Sequence, residues 1–346
     1  MLSMNQSNSS PASGGAARPR FLITGGKGFI GAWVVKSLVE RGDRPWILDL
    51  DSDSHRLEAL LSHQQMAMIS FVAGDVTKLE DVDRAVAGHG ITHVVHLAAL
   101  QVPSCSANPP LGALVNVVGT LNVLEVAKRR RDLVRSVVYA SSAAVFGPEE
   151  FYGHSQVPDG APLFPGTHYG VFKQANEGNA RVYYANDGIS SVGLRPWAVY
   201  GVGRDQGISS GPTKAIKAAV LGRPYTIRFT GGIDLQYARD TAQAFLRAAE
   251  AAVTGAKAYT LRGTVIQIDA FIQELASVLP GIREPGRTIR AEGKPLPIAS
   301  DLDDSALVGD LGEPPRTPLA EGIRETAEIF GRLRGEGKLD LSDLSE

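Results

Sequence analysis

The 346-residue sequence has a single cysteine, Cys105, so no internal disulfide is possible, and the count fits a reducing compartment, here the cytoplasm. It has no charge excess of either sign. Lys and Arg total 35 against 37 Asp and Glu, a formal net charge of −2. A global basic field for nucleic acid is thereby excluded, as is a strongly acidic tail. The short run Lys128-Arg129-Arg130-Arg131 closes a helical pattern, where cations complement the helix C-terminus. No unbroken apolar run reaches the ~18 residues of a membrane-spanning helix, so no membrane partner is expected. The first nineteen residues are rich in Ser, Asn, Ala and Gly and lack an apolar h-region. They read as a disordered leader rather than a signal peptide. No internal repeat and no metal-ligand set is found.

What remains is 43% hydrophobic and long enough for one large α/β domain plus a smaller lobe. Short apolar runs occur at Phe21–Thr24, Trp46–Asp49, Ile69–Ala73, His93–Leu97, Ser136–Ala140 and Ser191–Leu194. They lack polar alternation, as parallel strands covered on both faces should. Helical spacing lies between them, for example at Trp33, Lys36, Leu38 and Val39. This alternation predicts right-handed βαβ units and a Rossmann-type, doubly wound parallel sheet. The rhythm breaks at Gly147–Thr167, where four prolines predict a long loop. It breaks again after Tyr200, where helices are expected at Pro212–Leu221, Asp240–Val253, Ala270–Leu279 and Pro318–Leu333. The expected organisation is a leader (1–19), a doubly wound domain (20–200), a C-terminal substrate lobe interleaved with the end of the sheet (201–333), and a charged tail that frays (334–346).

Thr24-Gly25-Gly26-Lys27-Gly28-Phe29-Ile30-Gly31 follows the first strand and opens the first helix. Gly25, Gly28 and Gly31 allow a sharp turn, close approach of a pyrophosphate and tight helix packing. The helix N-terminus adds N–H donors and positive partial charge. Phe29 and Ile30 belong to the same cofactor loop. Asp49 ends the second strand ~20 residues further on, where a carboxylate accepts ribose hydroxyls and repels a 2′-phosphate. No arginine follows it until Arg56, so NAD is favoured over NADP. Asp51 and Asp53 read as solvated turn residues. Asp75 and Val76, ending the third strand, are placed at the adenine edge, with helix capping as the other reading of Asp75.

Tyr169 and Lys173 are spaced i, i+4 and share one helix face. A phenol with its ordinary pKa of ~10 is a poor base. A neighbouring ammonium and a positive nicotinamide ring favour phenolate, which lets the Tyr exchange a proton as hydride moves. Ser141-Ser142 ends the fifth strand, where ligands of open α/β sheets sit. There a hydroxyl can hold a substrate oxygen.

Taken in order, these motifs resemble the extended short-chain dehydrogenase/reductases, also called the NAD-dependent epimerase/dehydratase family. The resemblance runs from about Arg20 to Leu333. It rests on the Thr24–Gly31 loop, Asp75, His96-Leu97-Ala98-Ala99, Asn116-Val117-Val118-Gly119-Thr120, Ser141 to Gly147, Tyr169 to Lys173, Arg195-Pro196, Tyr200-Gly201 and the closing Pro318 to Thr326 segment. It implies Tyr169 as acid/base, Lys173 on the nicotinamide ribose and Ser142 on the substrate oxygen. It implies Leu97, Ala98 and Ala99 along the cofactor, with Asn116 on the helix beneath. Arg195 is expected on the cofactor side, and Gln101, Ser141, Trp197 and Ala198 on the substrate side. A homodimer is expected through a four-helix bundle built from Leu111–Arg130 and Tyr169–Asn186.

Departures bear on the substrate. Dehydratases of the family carry an Asp-Glu pair where this chain has Ala143-Ala144. Many nucleotide-sugar members carry Asn at Ala198, and an Arg within the stretch matching Gly231-Gly232-Ile233-Asp234. The favoured reading is an NAD-dependent oxidation of a secondary alcohol on a sugar, sugar acid or similar polyhydroxylated small molecule. The alternative is a nucleotide-sugar 4-epimerase. A non-catalytic NAD-binding regulator is the third reading, which the Tyr169, Lys173 and Ser142 set argues against.

Overall fold

The computed structural model describes residues 18–50, 53–153 and 156–344. Most of the leader, and Asp51, lie outside these residues. Among the described residues twelve strands occur in chain order: β1 Phe21–Thr24, β2 Trp46–Asp49, β3 Ser70–Ala73, β4 His93–His96, β5 Ser136–Ala140, β6 Ser191–Arg195, β7 Ala198–Tyr200, β8 Tyr225–Ile227, β9 Gly232–Tyr237, β10 Ala256–Thr260, β11 Thr264–Gln267 and β12 Ile289–Ala291. Seven form one parallel sheet in the order β10-β6-β5-β4-β1-β2-β3. The central strand β1 pairs Ile23 with Ile47 on one side and Val95 on the other. All three side chains are fully buried, as a strand covered on both faces requires. The order reverses between β1 and β4, and the crevice at that switch point is where such sheets bind ligands.

Helices cover both faces. On one, Phe29–Glu40 packs against Ala238–Glu250. Trp33 is nearly inaccessible and donates from Nε1 to Val202 O at 3.0 Å. That bond ties the first helix to the start of the C-terminal segment. On the other face lie Leu79–Gly88, the long helix through residues 109–129, and His168–Asp187.

The helix Pro109–Arg129 is the one described helix long and apolar enough to cross a membrane by length and composition. An 18-residue window in it reaches a mean hydropathy of 1.5. Short polar residues interrupt its apolar run, so the sequence shows no unbroken stretch there. Here it is one layer of the fold, and its polar groups bind protein partners. Asn122 donates to Val76 O at 2.8 Å, and Thr120 Oγ1 donates to Asn116 O at 2.8 Å.

The C-terminal segment mixes short strands with its helices. β7, β9 and β11 form a separate three-stranded sheet, and β8 pairs with β12. β10 returns to the main sheet beside β6. The expected helices appear as Gly211–Leu221, Ala238–Glu250, Ile268–Val278 and Leu319–Gly335. The expectation that the tail frays is overturned. Leu339 and Leu344 pack on the core, and Lys217 Nζ reaches both carboxylate oxygens of buried Asp343 at 2.7 Å. The tail docks because a buried ammonium must find its counter-charge, and Asp343 supplies it.

Candidate active site

β1 delivers the glycine turn to the switch point. Gly25 has φ +67, and its carbonyl accepts from Gly28 N at 3.0 Å. A Cβ on Gly31 would stand 2.2 Å from that carbonyl, so only glycine lets the helix approach. The helix Phe29–Glu40 starts at Gly28 with no side-chain cap and no acidic residue in its first turn. Its first N–H groups are left for an anion, which fits a dinucleotide pyrophosphate. Asp49, at the end of β2, accepts from Lys27 N at 3.1 Å and Leu50 N at 2.9 Å, which fixes its carboxylate at the rim of the turn. Thr24 Oγ1 hydrogen-bonds His96 Nδ1 at 2.7 Å, and His96 Nε2 meets Thr120 Oγ1 at 3.1 Å. Burial and the Lys173 charge push His96 down to about 3, so it is neutral and acts as a structural pin.

The helix His168–Asp187 begins at Thr167, whose Oγ1 accepts from Gly170 N at 3.1 Å. It presents Tyr169, Lys173 and Glu177 at i, i+4 and i+8, one side chain per turn along a single face. Lys173 Nζ donates to Ala140 O at 2.7 Å and lies 5.4 Å from the centre of the Tyr169 ring. Glu177 is 2% exposed and takes three donors: Ser141 Oγ at 2.6 Å, and Arg195 Nε and Nη2 at 2.8 Å each. The helix is thus bolted to the ends of β5 and β6. Ser142 Oγ accepts from Ala144 N at 3.1 Å and lies within reach of the Tyr169 phenol.

The electrostatics are uneven. Burial raises the Tyr169 phenol above its ordinary value; the Ser142 hydroxyl and the Arg204 charge oppose that rise. Lys173 is pushed down to about 8 by burial. Lys173, expected to favour the phenolate, stands 5.4 Å from the centre of the phenol ring, and Arg204 is a second cation acting on the phenol.

One cleft brings together Gly25, Gly28, Phe29, Ile30 and Gly31 of the turn, Leu97, Ala99 and Gln101 beyond β4, Ser141 and Ser142 beyond β5, Tyr169 and Lys173, and Trp197. Trp197 Nε1 donates to Ala299 O at 2.7 Å. Ala98 lies against the turn, its N donating to Thr24 Oγ1 at 3.3 Å. Other expected residues stand apart from the cleft. Arg195 is spent on Glu177 and on Asp159 O at 3.1 Å, so its guanidinium is not available to a cofactor. Ala198 is buried in β7 and does not line the cleft. Asn116 is buried and closes both ends of its amide on the Leu100 backbone, at 2.7 and 2.9 Å. Asp75 accepts from Thr77 N at 2.9 Å, and Val76 is buried close to Gly119.

Sequence reasoning missed Glu177, Arg204 and Ser209. Glu177 sits one turn beyond Lys173, a spacing that carries the signal. Arg204 and Ser209 come from the turn after β7, in the segment where the sequence reading places the substrate lobe without singling out either residue.

A profile of the NAD dependent epimerase/dehydratase family matches residues 21–261. A UDP-glucose 4-epimerase of Mycolicibacterium smegmatis is 30% identical over 320 residues, which is 90% of this chain and 98% of that protein. Among solved structures, a partial-consensus L-threonine 3-dehydrogenase superposes with a TM-score of 0.79 at 25% identity, covering 91% of this chain and all of the other. The Thermus thermophilus UDP-glucose 4-epimerase in complex with NAD superposes with a TM-score of 0.75 at 26% identity, over 90% and 98% of the two chains.

Two consequences can be measured. Glu177→Ala strands the buried Arg195 guanidinium, and loss of one partner of such a pair costs about 3–5 kcal/mol. Urea unfolding should show that loss. Lys173 titrates at about 8 in the fold against 10.5 when unfolded. Between those values the unfolded chain binds more protons, so stability rises with pH across that window and the penalty is full below pH 8. The wild-type-minus-Lys173→Met difference in unfolding free energy, without cofactor, should therefore rise from pH 8 to pH 10.

Proposed function

We propose that this chain, which belongs to the NAD dependent epimerase/dehydratase family, oxidises a secondary alcohol on a sugar, sugar acid or similar polyhydroxylated small molecule. The observation that carries the reading is the convergence of Tyr169, Lys173 and Ser142 beside an uncapped glycine turn in one cleft. The cofactor is NAD, which when bound supplies a hydride acceptor. Gly25, Gly28, Phe29, Ile30 and Gly31 hold its pyrophosphate, Asp49 its adenosine ribose, and Leu97, Ala98 and Ala99 flank it. Residues 20–200 carry the cofactor side and 201–333 the substrate side.

Tyr169 Oη takes the proton of the substrate hydroxyl, and Ser142 Oγ holds the same oxygen. Lys173, anchored at Ala140 O, is set one turn below the phenol to bind the nicotinamide ribose. Ala143 and Ala144 offer neither acid nor base, so the cleft has no group at that place for a β-elimination. The epimerase reading has specific support in the likeness to UDP-glucose 4-epimerases. Mixing protein, NAD and a panel of polyols, sugar acids and UDP-sugars separates the readings. A dehydrogenase accumulates free NADH, an epimerase converts substrate without it, and a regulator does neither. General acid–base assistance is worth ~10²–10⁴-fold, so Tyr169→Phe should lower turnover by about that factor while NAD still binds. Near-full activity in that variant would refute the assignment.

The chain also pairs with itself in this reading. Leu111, Leu114 and Val118 are exposed along one face of the helix through 109–129, and Val171 and Val182 along one face of His168–Asp187. Large apolar side chains left uncovered on two neighbouring helices mark an interface. A second copy would complete a four-helix bundle. Light scattering at micromolar concentration should give the mass of a dimer, and Val182→Glu should shift it to that of a monomer.

A further inference from the structure

The substrate end of the cleft is rich in donors. Arg204 gives Nη1 to Gln101 Oε1 at 3.2 Å and Nη2 to Ser209 Oγ at 3.0 Å. Its Nε is shut off from solvent and has no acceptor. The guanidinium carbon stands 5.8 Å from the centre of the Phe29 ring, which braces it from below. Gly207 wraps over the pair: a Cβ there would stand 2.3 Å from Gln101 Oε1. Arg204 is therefore held by a built pocket and does not trail into solvent.

No described carboxylate pairs with it. Asp205, its chain neighbour, is taken bidentately by Arg56 at 2.8 and 2.7 Å. Among the described residues lining the cleft there is no Asp or Glu, while Lys173 and Arg204 are both present. Gln101 turns its carbonyl to Arg204, which leaves its NH2 to donate. Ser209 accepts from Arg204, which leaves its hydroxyl proton to donate. Three groups with donor hydrogens left over, in a cleft lined by no described carboxylate, describe an anion site, and a half-buried guanidinium there gains charge-assisted bonds when an anion arrives.

We infer that the substrate is a hydroxy acid whose reacting hydroxyl meets Tyr169 and Ser142 while its carboxylate is held by Arg204, Gln101 and Ser209. The hydroxyl half of this statement rests on the proton-carrier role proposed for Tyr169; the anion half stands on the Arg204 pocket. A diphosphate would present the same charge. The carboxylate is favoured because Arg204, Gln101, Ser142 and Tyr169 line one cleft, so a compact hydroxy acid can reach the anion site and the phenol together. In a nucleotide sugar the diphosphate is joined at C1, across the ring from a C4 hydroxyl.

Malonate is the probe, with malonamide as its uncharged counterpart and UDP as the diphosphate arm, each titrated by calorimetry into the NAD-loaded protein. Malonate should bind and malonamide should not. Arg204→Leu should weaken malonate by about tenfold or more, since a fork of charge-assisted bonds is lost, with NAD affinity unchanged. Ser209→Ala, which leaves the guanidinium in place, should weaken it by a smaller factor and serves if Arg204→Leu does not fold. The inference is overturned if malonate does not bind the wild type or binds the variants equally well. It is equally overturned if Arg204→Leu weakens UDP rather than malonate, or weakens NAD instead. Tyr169→Phe should leave malonate binding intact. An active Tyr169→Phe enzyme with an Arg204-dependent malonate site would sink the proton-carrier reading and leave the anion site standing.

Discussion

The Glu177 carboxylate, buried between Ser141 and Arg195, is the constraint on which the site depends. A helix laid on a sheet by apolar contacts alone can rotate or slide by fractions of an ångström at little cost. Three charge-assisted or hydroxyl bonds to one carboxylate remove that freedom, because each has a narrow length and angle. Glu177 lies two turns from Tyr169 and one from Lys173, so fixing its azimuth fixes theirs. A buried ion pair is no better than an apolar contact as a source of stability. Its value here is geometric: it holds the acid/base candidate at the carboxyl ends of β5 and β6, where Ser142 also emerges.

A second set of buried polar groups fixes the opposite wall. The helix through 109–129 opens into a π-helical turn at Leu114–Val118. The Asn116 carbonyl within that turn accepts Asn176 Nδ2 at 2.9 Å from the helix that carries Tyr169, as well as Thr120 Oγ1 at 2.8 Å. Its side-chain amide holds the Leu100 backbone, just before Gln101. Thr120 continues the chain to His96 and Thr24 at the foot of the glycine turn. The cofactor turn, the segment beyond β4 and the Tyr169 helix therefore share one hydrogen-bonded frame. A π turn is an energetically poor element that recurs at functional sites. Here it sets two helices in register with the cleft.

The parts legible in sequence were those set by local pattern. Six of the seven strands of the main sheet show as apolar runs, five of them because they are largely covered by the layers on either side, while β3 lies exposed at the sheet edge. The glycine turn shows because a positive φ and a close carbonyl leave glycine as the one residue that fits. Tyr169 and Lys173 show because a helix face has a fixed period. The second half was harder to read because its strands are short and paired over long distances: β10 joins β6 from more than sixty residues away. Arg195 was misplaced for a related reason. It adjoins the cleft in sequence, but its side chain turns inward to the nearest buried carboxylate. The tail was misjudged because its charge looks like solvation until Lys217 is seen beneath Asp343.

The cleft as a whole carries uncompensated positive charge. Burial pulls both Lys173 and Arg204 below their ordinary values; Glu177 is bonded to Arg195, and Asp205, whose charge acts on Arg204, is bonded to Arg56. Two cations in a cleft lined by no described carboxylate are a local instability that the rest of the fold outweighs. They also face Tyr169, whose phenol is raised by burial and must lose its proton to act as a base. Each positive charge near the phenol lowers the cost of that step, and each is retained only if its own neutralisation is deferred. The same feature that strains the empty cleft therefore prepares it. Anionic groups that enter find donors already oriented, and binding to the native state alone then adds stability that the empty protein lacks.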